Sequence, residues 1–151
     1  MSDHLKLALY EHCERFLNSR LLTIQSTIFE LQNALQSETK SSAGDKHETG
    51  RAMVQLEREK AGQQLAQIQQ QFRILNKIKQ SKSTSVIGLG SVVITSRFNY
   101  FIAVSVGEVS EEKETYYAIS PQTPIAQLML GKKVGDKVQF RSDTFEILQV
   151  R

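Results

Sequence analysis

The chain has 151 residues, 40% of them hydrophobic and 23% charged, which excludes a disordered or collagen-like protein and fits one compact domain or two small ones. No run of about 18 apolar residues is present to span a bilayer, and Met1-Ser2-Asp3-His4 lacks the basic-then-apolar start of a secretory signal, so a soluble cytoplasmic protein without a membrane partner is expected. The formal net charge of +3 divides as 11 Lys+Arg against 9 Asp+Glu in residues 1–80 and 8 against 7 in residues 81–151; no basic stripe dense enough to neutralise duplex phosphates emerges, which argues against independent sequence-specific DNA binding.

In chain order, the first element is a long helix. Apolar residues at Leu17, Leu21, Ile24, Ile28, Leu31 and Leu35 alternate spacings of four and three, a heptad seam. Leu5, Leu9, Cys13 and Phe16 continue the stripe towards the N-terminus, which predicts a helix from about residue 4 to about residue 38. At 1.5 Å per residue it is roughly 50 Å long. Cys13, the single cysteine, falls within this stripe and reads as a small buried hydrophobe; alone, it excludes an internal disulfide or a cysteine-cluster metal site.

The stretch Ser37 to Gly44 is small, polar and suited to a turn. A second seam follows at Ala61, Leu65, Ile68, Phe72 and Leu75, with Val54 in register and Arg58 as its polar interruption, so a second helix is expected over about 46–80. Two long helices with a short connection bury their stripes best as an antiparallel hairpin. The same seams also fit packing against a globular core or a second copy of the chain.

Ser81-Lys82-Ser83-Thr84-Ser85 has no periodicity and reads as a linker. Beyond it the composition turns β-branched and aromatic, with strands predicted at 91–95, 100–106, 115–119, 138–140 and 145–148, turns at Gly90, Gly107 and the charged Glu108–Glu114 stretch, and a short helix over Ile125–Leu130 ended by Gly131. The expected fold class is therefore α+β: a coiled-coil hairpin over residues 1–80, a linker at 81–85, and a small, mainly antiparallel β-rich domain over 86–151.

No enzyme signature emerges. His4, His12 and His47 lack metal-ligand spacing, and Gly88-Leu89-Gly90 precedes a strand where a phosphate-binding loop would open a helix. One local feature is chemically suggestive: Gly44-Asp45-Lys46-His47-Glu48, at the tip of the expected hairpin (41–49). Two carboxylates three residues apart on a helix are neighbours and can share a divalent cation. The same spacing serves equally as an N-cap with its reciprocal glutamate.

Two segments resemble the bacterial Gre transcript-cleavage factors. Gly44-Asp45-Lys46-His47-Glu48 is similar to the family's Gly-Asp-x-x-Glu tip. Ser120-Pro121-Gln122-Thr123-Pro124-Ile125-Ala126, followed by Gly131-Lys132-Lys133-Val134-Gly135-Asp136-Lys137-Val138, resembles its C-terminal Ser/Thr-Pro-Ile-Ala and Gly-Lys-x-x-Gly-Asp-x-Val. Thr49, Ala52 and Leu56 depart from the family pattern around the tip, the marks of a divergent branch.

The resemblance implies an FKBP-like C-terminal domain and a hairpin that enters the secondary channel of bacterial RNA polymerase. It makes Asp45 and Glu48 the functional acids, donated to the polymerase active site, where they help hold a shared Mg ion absent from the free protein while the polymerase cuts the 3′ end of backtracked RNA. The chain would then be a cofactor and not itself an enzyme. Lys46 and His47 read as contacts to RNA phosphate or as a solvated turn; Pro124, Ile125, Lys132 and Lys133 read as positions for binding polymerase, the two lysines equally as a solvated turn. Three alternatives stand beside this: a channel-binding inhibitor that does not stimulate cleavage, a prolyl isomerase by analogy of fold, and a coiled-coil adaptor.

Overall fold

The computed structural model describes the backbone of residues 2–40 and 44–151 and the side chains of residues 4–37 and 49–151. Two long helices come first, α1 (Ser2–Lys40) and α2 (Gly44–Gln80), followed by β1 (Val92–Thr95), β2 (Asn99–Ile102), β3 (Gly107–Glu111), β4 (Glu114–Ile119), α3 (Pro124–Met129), β5 (Lys137–Phe140) and β6 (Asp143–Val150). The fold is α+β, a helical hairpin followed by a six-stranded mixed sheet. Its residues form two compact units, Leu17–Gln71 and Met1–Phe16 with Phe72–Arg151.

Within Leu17–Gln71 the heptad seam is the inward face. Leu17, Ile24, Ala61 and Ile68 are buried, and Leu21, Ile28, Leu31, Leu35 and Leu65 are partly covered. Arg58, which interrupts the seam, is exposed. A two-helix layer can bury only one stripe per helix, which is why Leu22 and Phe29 remain 68% and 64% exposed.

In the other unit, the sheet order is β3-β4-β2-β1-β6-β5. Every neighbouring pair is antiparallel except β2 and β4, which run parallel from Asn99↔Tyr116 to Ile102↔Ile119. Side chains alternate between faces along a strand. One face supplies Val93, Tyr100, Ile102, Phe145 and Ile147 to a core completed by Ala126 and Met129 of α3. Phe101, Val92 and Ala118 fall on the alternate positions and are as deeply buried. Leu5, Leu9 and Cys13 on α1 and Leu75 and Ile78 on α2 are buried in this same unit.

The charged stretch expected to be a turn, Glu108–Glu114, is mostly strand. β3 ends at Glu111, and only Glu112 and Lys113, with φ of 52° and 65°, make the hairpin turn to β4. β3 is an edge strand with a single buried residue, Val109, so its remaining positions accept charge and hide the alternation that marks a half-buried strand. The run expected to be extended through Val106 leaves the strand after Ile102. Ala103 and Val106 still bond to β4, through their N–H groups to the carbonyls of Ile119 and Ala118 at 2.8 and 3.2 Å.

Candidate functional site

α2 begins at Gly44, so Asp45 and Glu48 are carried on its first turns. Their side chains, with those of Lys46 and His47, lie outside the described residues. Thr49 and Ala52 follow, both exposed, and Leu56 is 46% exposed.

The second set of candidates brackets α3. Pro124 occupies the first turn of that helix, where a missing N–H costs nothing. Thr123 is the N-cap, its hydroxyl accepting from the Ala126 N–H at 3.3 Å and donating to the Ser120 carbonyl at 2.8 Å. Ser120 accepts from the Gln122 N–H through its own hydroxyl at 3.0 Å. Ala126 is fully buried and Ile125 packs against the core, whereas Pro124 is exposed. Most of the Ser-Pro-x-Thr-Pro-Ile-Ala run therefore starts a helix and seats it, leaving Gln122 and Pro124 as its exposed positions.

At the other end of α3, Gly131 (φ 84°) donates its N–H to the Ile87 carbonyl at 2.9 Å, and Ile87 returns one to Lys132 at 2.8 Å. Asp136 closes the loop: its carboxylate accepts from the Lys133 N–H at 2.9 Å, and its own N–H donates to the Lys133 carbonyl at 3.0 Å. Gly135, at φ 95°, supplies the left-handed backbone that brings these groups together. The side chains of Lys132 and Lys133 are exposed. Pro124 and Ile125 thus stand at the start of α3 and the two lysines after its end, separated by a helix of six residues, about 9 Å.

Residues 82–151 match the family model described as transcription elongation factor GreA/GreB, C-terminal. This stretch is therefore a GreA/GreB-type C-terminal domain. The match covers both C-terminal motifs and the whole six-stranded sheet of the Gre-type domain. No curated protein matches the chain.

Some contacts of this unit had no signal in the sequence. His12 Nε2 lies 3.0 Å from Glu111 Oε2, tying α1 to the edge strand β3. Arg97 Nη1 and Asp143 Oδ1 are 2.6 Å apart, and the Arg97 guanidinium also lies over the Phe98 ring. His12 and Glu111 are 99 positions apart, so only the fold pairs them. Burial pushes the Cys13 thiol up to about 12 against a slight opposing effect of a backbone hydrogen bond at Val104, the state of an inert packing residue. Among the described residues no group of three or more His, Cys, Asp or Glu is arranged to hold a metal, and no helix is long and apolar enough to cross a membrane.

Proposed function

We propose that the chain is a transcription elongation factor that binds bacterial RNA polymerase, enters its secondary channel with the hairpin, and stimulates cleavage of backtracked RNA. The observation that carries this reading is the Gre-type domain over residues 82–151, joined in one chain to a Gly44-Asp45-x-x-Glu48 motif at the start of a 37-residue helix.

Positions 45 and 48 are three apart and so are neighbours on one helical surface. Carboxylate oxygens are the donors magnesium prefers, but two are too few to hold it, and the polymerase's own acids must complete the shell. Such a shared ion would stabilise charge developing at the attacking or leaving oxygen of the phosphodiester. Asp45 and Glu48 act here as donors to a partner's active site, so the nuclease activity belongs to the polymerase. Lys46 and His47, between the two acids in sequence, are the positions we assign to contact with RNA phosphate. Pro124, Lys132 and Lys133, exposed at the two ends of α3, are the positions we assign to docking against polymerase.

A second reading, occupancy of the channel without cleavage, is favoured by the departures at Thr49, Ala52 and Leu56. The deciding experiment adds the full chain to backtracked elongation complexes and follows 3′ RNA cleavage, wild type against Asp45→Asn/Glu48→Gln. Stimulation by the wild type that disappears in the double variant supports the metal-donating role. Binding with no stimulation by either protein replaces it with the inhibitor.

A further inference from the structure

A cavity of about 410 Å³ lies in the Met1–Phe16/Phe72–Arg151 unit, between the early turns of α1, the end of α2 and the segment that follows it. Its apolar lining comes from Leu7, Tyr10 and Ile78. Leu7 is 55% exposed, an apolar side chain that the folded chain leaves largely in water. Around this floor stand Lys6, Lys79 and Lys82, and no carboxylate of a described residue lines the cavity. Lys6 Nζ donates to Ser83 Oγ at 3.3 Å, placing its ammonium beside the segment that carries Lys82. Lys79, in the last turn of α2, also opposes the negative end of that helix. Lys82, beyond α2, is not accounted for in that way.

The ligand that satisfies such a site has a flat apolar body and more than one negative charge. We propose that this groove binds a nucleoside di- or triphosphate, with the base over Leu7, Tyr10 and Ile78 and the phosphates among Lys6, Lys79 and Lys82. The cavity is of small-molecule size, Tyr10 offers an aromatic ring to the base, and lysine ammoniums are suitable point charges for phosphate.

The test titrates the full chain calorimetrically with ATP and GTP, and separately with adenosine, guanosine and inorganic tripolyphosphate, without divalent cations. One saturable site per chain is expected for the nucleotides, with both the nucleosides and tripolyphosphate binding much more weakly. Leu7→Asp and Lys79→Glu/Lys82→Glu should each weaken nucleotide binding by about tenfold or more. Lys60→Glu/Lys113→Glu, an equal change of charge outside the groove, should leave it unchanged, and melting curves should show all variants folded. Three results would overturn the proposal: no saturation by either nucleotide, tripolyphosphate binding as tightly as the nucleotides, or groove variants that bind like the wild type. A single-stranded oligonucleotide that binds where mononucleotides do not would likewise replace it with a strand-binding surface. No polymerase enters the measurement, so its failure leaves the proposed elongation role untouched.

Discussion

The hairpin segment Leu17–Gln71 and the unit built on the sheet solve the same burial problem with different means. Among the described residues, the hairpin segment buries four apolar side chains almost completely, Leu17, Ile24, Ala61 and Ile68, spread along two helices. The sheet unit concentrates Phe101, Ile102, Val92, Val93, Met129 and Ile147 in a small volume, each essentially inaccessible. A two-helix layer trades core density for length, whereas a sheet with buried side chains on both faces gains many contacts per residue. The hairpin motif residues sit at a helix start, and those of the C-terminal motif are largely consumed in making their own turn. A motif is thus not a uniform signal of chemistry: Asp136 is a loop clasp, while Asp45 is a candidate donor.

The sharpest way to break this comparison is at the tip. Asp45→Asn/Glu48→Gln should lower stimulated cleavage by roughly 100-fold or more, the scale of losing a principal electrostatic stabiliser, with little change in polymerase affinity or melting temperature. An equal loss of stability would make the two acids structural, like Asp136. Next come the cores: Phe101→Ala should cost ~3–5 kcal/mol in denaturant unfolding and Ile68→Ala ~2–3 kcal/mol, because the hairpin site is flanked by solvent and can relax. The reverse order would place the stability of the chain in its hairpin.

Gly90→Ala should cost ~1–3 kcal/mol. Gly90 sits at φ 88°, and an added Cβ would lie 3.2 Å from Ile78 Cγ2 and from Ser81 Oγ. Asp136→Ala should cost about 1 kcal/mol, the value of one loop hydrogen bond, and leave Lys133 exposed as before.

Cys13 gives a pH test of the buried end of α1. Its thiol is raised from 9.0 to about 12 by burial, so the folded state holds the proton more tightly than the unfolded chain. The resulting stability is complete below about pH 9 and lost as pH rises towards 12. Urea midpoints should therefore fall across that window more steeply than in Cys13→Ala, and the native thiol should resist a maleimide at neutral pH. Smallest of all, Glu57→Gln, which removes an exposed pair with Lys60 at 3.7 Å, should change stability by less than about 0.5 kcal/mol.

Much of the architecture was legible because it is periodic. The four-and-three spacing from Leu17 to Leu35 and from Ala61 to Leu75 depends on neighbours three and four residues away, so the helices and their inward faces could be read directly. The turn residues and N-cap of α3 are equally local, as is the Gly44-Asp45-x-x-Glu48 motif. Tertiary structure decided what depends on distant partners: that β3 forms from a glutamate-rich run because β4 offers it an edge, that β2 and β4 lie parallel, and that His12 meets Glu111. It also gathered Lys6, Lys79 and Lys82 around one apolar floor. A charge split of +2 and +1 between the two parts of the chain carries no trace of that cluster. Local spacing records which face of an element is apolar; only chain closure over tens of residues determines which charges that face will meet.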